Sequence, residues 1–178
     1  MTWKEIPQFM SRGNYAVDFP LEYLVKHIEK EQEESHLQLN PDFQRGHVWT
    51  KEQQQAYIEF ILRGGTSGKD IYFNCPSWHR SVPTGAYNDY VCVDGLQRIT
   101  AIQKFVHNEL EVFGQYYSDF GGKSPISLTI KVHVNDLKTK ADVLRWYLEM
   151  NTGGTIHTKS EIQRVTELLR KEQEFNGG

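Results

Sequence analysis

Apolar positions along the chain repeat with two periods. Leu21, Leu24, Val25 and Ile28 recur at helical spacing behind Phe19-Pro20, and Ala56, Tyr57, Phe60 and Ile61 do so behind Thr50. Ile99, Ile102, Phe105 and Val106 give a third such set, and Ile162, Val165, Leu168 and Leu169 a last one. Residues three and four apart share one side of a helix, so each set predicts a helix with a buried stripe. Another helix is expected from Thr139 through Leu148 and Met150. Thr50-Lys51-Glu52-Gln53 and Thr158-Lys159-Ser160-Glu161 read as capping boxes that start two of these helices. Period two governs Ile126, Leu128, Ile130, Val132 and Val134, which alternate with Ser127, Thr129, Lys131 and His133. That is a half-buried strand, with His133 on its solvent side. The short apolar runs Leu37–Leu39, Ile71–Phe73 and Tyr90–Val93 predict further strands, and Glu109–Tyr117 a strand or hairpin arm. Residues 1–18 hold scattered aromatics and read as an arm, and residues 171–178 as a polar, fraying tail.

Length and composition narrow this to one domain. The 178 residues suffice for a real core. A net charge of −3 gives no reason to expect strong non-specific nucleic-acid binding, although a local basic face stays open. Cys75 and Cys92 form no metal-type pair, and Cys92 reads as a small buried residue. Met1 to Met10 lacks the apolar core of a signal peptide, and no apolar run is of membrane-spanning length, so a cytoplasmic protein without a membrane partner is expected.

The chemistry concentrates in Tyr90 to Ile102. A strand is expected to run into the turn Asp94-Gly95, where glycine can take positive φ, and then into a helix. Gln97 and Arg98 fall in its first turn, where free N–H groups and the helix dipole favour an anion. Arg98 adds a planar cation suited to phosphate oxygens. Asp94 would face phosphate only with Mg²⁺ between them, or else serve as an acceptor for a base or water. The plainer alternative is a capping Asp94, with Arg98 in solvent or paired to a carboxylate.

Three irregular stretches surround this one. Asn40 to Trp49 is a loop with Phe43, Val48 and Trp49 as anchors and Gln44, Arg45 and His47 projecting, either a ligand clamp or an ordinary surface loop. Gly64 to Lys69 is not a phosphate-binding P-loop. Its spacing is one residue short, Asp70 stands where Ser or Thr belongs, and it follows a helix. Asn151 to Ile156 is a glycine-rich break that could approach a ligand or simply turn between helices.

Pro41-Asp42-Phe43-Gln44-Arg45 through Trp49, Val93 to Ile99, and Met150-Asn151-Thr152-Gly153-Gly154 through Glu161 resemble, in order and spacing, the N-terminal domain of GmrSD-type modification-dependent restriction enzymes. That family lies in the ParB/sulfiredoxin-like superfamily, and the resemblance runs from about Leu21 to Arg170. It implies a compact α+β domain, a small mixed sheet with helices packed around it, that binds a nucleoside triphosphate and in several members hydrolyses it. The family's D-G-Q-Q-R motif falls on Asp94, Gly95, Leu96, Gln97 and Arg98, with Leu96 in place of the first Gln. Such enzymes carry a following HNH nuclease domain, and no complete one is expected within these 178 residues.

The expected function is therefore triphosphate binding and hydrolysis linked to DNA restriction or plasmid and phage biology. Arg45, Gly95, Arg98, Thr100 and Asn151 would hold the nucleotide, Asp94 the Mg²⁺, and Asp94, Gln97, Arg98 and Gln44 would serve catalysis. Gln97 or Gln44 would orient the attacking water. The alternatives are a non-catalytic, nucleotide-switched ParB-like adaptor for DNA or protein and, ranked last, a nuclease. A separate nuclease subunit and an oligomer remain open as partners.

Overall fold

The computed structural model describes residues 2–6, 15–44, 46, 48–79, 87–122, 124–152 and 159–176. Its centre is a four-stranded mixed sheet of order β1-β4-β2-β3. The strands are β1 (Tyr15–Pro20), β2 (Asp70–Asn74), β3 (Val91–Asp94) and β4 (Thr129–Asn135). β4 pairs antiparallel with β1 and parallel with β2, and β2 pairs antiparallel with β3. Five helices among the described residues pack around the sheet: α1 (Leu21–Glu34), α2 (Lys51–Leu62), α3 (Leu96–Val106), α4 (Lys140–Thr152) and α5 (Lys159–Asn176). The architecture is the compact α+β arrangement of helices around a small mixed sheet.

Alternation along the strands sorts side chains into two cores. Ile71, Phe73, Cys92, Ile130, Val132 and Val134 turn to one face and pack with residues of α1, α2 and α3. Val91 and Val93 turn to the other, against Val143, Leu144, Trp146 and Tyr147 of α4 and Val165 of α5. Because β3 is covered on both faces, its residues Val91, Cys92 and Val93 are all buried, as expected of a fully covered strand. Cys92 is indeed a small core residue.

Several expectations shift in detail. Tyr15–Asp18, read as part of an arm, and Phe19-Pro20, read as a helix start, together form an edge strand. Leu37–Leu39 makes only the single bridge Gln38↔Val91. The Glu109–Tyr117 stretch contributes one bridge, Val112↔Gln115, before a 3-10 turn at Tyr117–Phe120. On α2 the buried stripe is Gln54, Ile58 and Ile61, while Ala56 and Phe60 are exposed. Residues expected to fray continue α5 as far as Asn176. His133 does not face solvent. Its ring stacks on Tyr72 at 4.5 Å and its Nε2 lies 2.7 Å from Asp70 Oδ1, so two residues of the neighbouring strand β2 cover it.

Candidate functional site

β3 ends at Asp94, and the chain reverses through Gly95 at φ +123°. A β-carbon there would meet Cγ1 and Cγ2 of Ile71 at 3.0 Å, so both dihedral and space demand glycine. α3 then starts with no side-chain cap, and its first backbone bond runs from Ile99 N–H to Gly95 O at 2.9 Å. The amides of Leu96, Gln97 and Arg98 precede that bond. The Leu96 amide is turned to the Cys92 sulfur.

Arg98 reaches back one turn, and its Nη2 donates to Asp94 Oδ2 at 2.5 Å. The Arg98 side chain is four-fifths shielded, and its Nε is buried without a hydrogen-bond partner among the described residues. Two phenols feel its charge. Burial raises the pKa of Tyr57 and of Tyr72, Asp70 and Asp94 raise Tyr72 further, and Arg98 opposes the rise in both. Both phenols therefore stay protonated at neutral pH, and Tyr57 Oη donates to Gly68 O at 3.0 Å. Asp94 does not cap α3, whereas the other half of that plainer reading holds: the carboxylate that Arg98 pairs with is Asp94 itself.

The Asn40–Trp49 loop is tied to this corner by side-chain amides. Gln97 Oε1 accepts from the N–H of Val48 at 2.9 Å and of Trp49 at 3.1 Å, while its Nε2 donates to Gly46 O at 2.8 Å. Gln44 Nε2 donates to Val93 O at 2.9 Å and Cys92 O at 3.1 Å. Arg164 of α5 holds the loop's other side, donating to the carbonyls of Asp42, Phe43 and Gln44 at 2.8–2.9 Å. Lys140 of α4 adds an ion pair to Asp42 Oδ2 at 2.6 Å, and the buried Phe43 ring packs edge-on against Tyr147.

The structure thus brings together Asp94, Gly95, Gln97, Arg98 and Gln44 at the end of β3. Gln44 does not project as the sequence suggested, and it and Gln97 both bond to backbone here. Thr100 and Asn151 bond within their own helices, Thr100 Oγ1 to Leu96 O at 2.8 Å and Asn151 Nδ2 to Tyr147 O at 2.7 Å. Arg45, Gly153 and Gly154 lie outside the described residues. Arg164, Lys140 and Tyr72 escaped the sequence reading. Arg164 sits 120 positions from the carbonyl of Gln44 that it meets, and nothing local marks it. Among the described residues no three of His, Cys, Asp or Glu gather as a metal cage, and Asp94 keeps one carboxylate oxygen beyond its bond to Arg98. No described helix is long and apolar enough to cross a membrane.

Fold and site together define a small α+β domain whose uncapped helix start is joined to a buried strand by a carboxylate–guanidinium pair and overlaid by an amide-clamped loop. The family model of the GmrSD restriction endonuclease N-terminal domain matches residues 24–125. The chain belongs to that family, which links it to a restriction or defence context. The matched span contains the Pro41–Trp49 and Val93–Ile99 segments and ends before Met150–Glu161. No curated protein matches the chain.

Proposed function

We propose that this domain binds a nucleoside triphosphate at the start of α3 and hydrolyses it, as a module of DNA restriction. The observation that carries the reading is Arg98: a largely shielded, permanent cation beside free helix amides, with a buried Nε lacking a partner among the described residues. An anion at that point would satisfy the orphan donor and meet the positive end of the helix dipole. Asp94 would otherwise repel phosphate, and the remaining oxygen of its carboxylate fits a hard cation held chiefly by phosphate oxygens and water. Mg²⁺, when bound, supplies charge neutralisation at those oxygens. Arg98 then positions the phosphates and stabilises charge developing on them. By its position in the sequence Arg45 is assigned to close over them, and Asn151 to the cation's shell.

One observation favours a second reading, a nucleotide-switched adaptor without turnover. Both glutamines offered for water positioning already serve as backbone clamps. Triphosphate binding would then act on the loop they hold.

The test titrates each ribonucleoside triphosphate with Mg²⁺ against the wild type, Arg98→Ala and Arg98→Lys, following melting temperature and phosphate release. Saturable stabilisation is expected in the wild type, lost in Arg98→Ala and partly kept in Arg98→Lys. Equal binding by all three rejects the site. Tight binding with phosphate release at the background rate selects the adaptor.

A further inference from the structure

A cleft of about 300 Å³ opens away from the Asp94–Arg98 corner, between the end of α1 and the two ends of the β2–β3 connection. Glu31 lines it from α1 and Ser35 from the residue that ends that helix, Cys75, Ser77 and Trp78 from the residues after β2, and Tyr90 from the residue before β3. Its volume is at the small end of ligand pockets, which run from about 300 to 1,000 Å³.

The lining favours positive charge. Glu31 is largely shielded, and its one described ion-pair partner is His27, 3.8 Å away. Burial lowers the pKa of His27, against the pull of Glu31, so among the described residues that carboxylate has no charged ion-pair partner near neutral pH. The last carbonyls of α1 add the negative end of the helix dipole, with Glu31 O accepting from Ser35 N–H and Leu37 N–H. Trp78 contributes an indole, a face that attracts cations. The Tyr90 side chain is buried, and its hydroxyl has no partner among the described residues. Burial and then the Glu31 charge hold that phenol protonated. Lys138, whose charge reaches Cys75, is engaged by Pro76 O at 2.5 Å and Asp136 Oδ2 at 3.1 Å, and does not fill the role.

We propose that this cleft binds a small alkylguanidinium or alkylammonium group, its charge paired with Glu31, its stem against Trp78 and its polar head within reach of the Tyr90 hydroxyl. The inference stands apart from the triphosphate site, since none of its residues belongs to that corner.

Isothermal titration of the full chain with butylguanidinium, and with the uncharged butylurea of similar shape, tests it. Saturable millimolar or tighter binding of butylguanidinium is expected, at least ten-fold weakened in Glu31→Gln and several-fold in Tyr90→Phe, with butylurea silent. Urea denaturation of the two variants confirms that they fold. An arginine flanked by glycines in a blocked tripeptide separates the sources: binding as tight as butylguanidinium means that a protein side chain can enter, and weaker binding points to a free small amine. Equal affinity in Glu31→Gln, binding of butylurea as tight as that of the cation, or no saturation in the wild type overturns the proposal.

Discussion

Gly95 carries the turn that makes the candidate site. A methyl group there would have to displace the Ile71 side chain and hold a left-handed backbone. Gly95→Ala is expected to cost about 2 kcal/mol of stability, read from urea denaturation midpoints. Gln97 works differently, because its amide both accepts and donates. Gln97→Glu keeps the acceptor for Val48 and Trp49 but sets an oxygen against Gly46 O. Loss of one hydrogen bond and the new repulsion should destabilise the domain by roughly 1–3 kcal/mol. Hydrogen exchange in the described residues of the Asn40–Trp49 loop should quicken more than exchange in α1. Unchanged exchange would mean that the clamp is idle.

Among elements, the contact between α1 and the 3-10 turn at Tyr117–Phe120 offers a measurable pH dependence. Glu22, in the first turn of α1, accepts from the Tyr117 hydroxyl in the 3-10 turn and from Ser124 N–H and Oγ at 2.7 Å. Burial pushes the carboxyl up, but these donors outweigh it and hold the pKa at about 2. The same contact and burial raise the Tyr117 phenol to about 12. A depressed carboxyl stabilises the fold above its unfolded pKa, near 4.5, and that contribution is lost as pH falls through about 2. Melting temperatures between pH 5 and pH 2 should therefore fall less steeply in Glu22→Gln than in the wild type. Parallel slopes would remove Glu22 from the acid transition.

Elements set by local chemistry were legible in the sequence. The capping box at Thr50 forms both of its bonds, Gln53 N–H to Thr50 Oγ1 and Thr50 N–H to Gln53 Oε1, because its partners are three residues apart. The Asp94-Gly95 bend was equally legible, since its conformation depends on glycine itself. β1 was not: Tyr15–Pro20 takes its strand form from pairing with Val134–Thr129, and an exposed edge imposes no alternation. The glutamines show the same limit at the site. Their chemistry was visible, but whether the amides project or clamp depends on backbone 48–51 positions away.

On the scale of the whole molecule, the family match and the folding unit have different bounds. Residues 24–125 include β2 and β3 but exclude β1 and β4, and β4 is the strand that joins β1 to β2. A chain ended at Pro125 is expected to lack cooperative unfolding by circular dichroism, since Ile71 and Phe73 lose their cover from Ile130, Val132 and Val134. A cooperative transition in that fragment would contradict the assignment of β4 as structural centre. Arg164 adds a second long-range tie. Arg164→Ala removes three bonds to the loop carbonyls and should cost about 2–4 kcal/mol, with the Asn40–Trp49 loop more open to protease.

The parallel pairing of β2 with β4 also has a consequence in time. Asn74 must wait for Leu137, 63 positions later, before the bond that seals this seam can form. At about 5–20 residues per second on the ribosome, that wait lasts roughly 3–13 s. During it the nascent β2–β3 hairpin presents a bare strand edge, the kind of edge that recruits neighbouring chains. Soluble yield should thus depend on how fast the stretch between the two strands is translated.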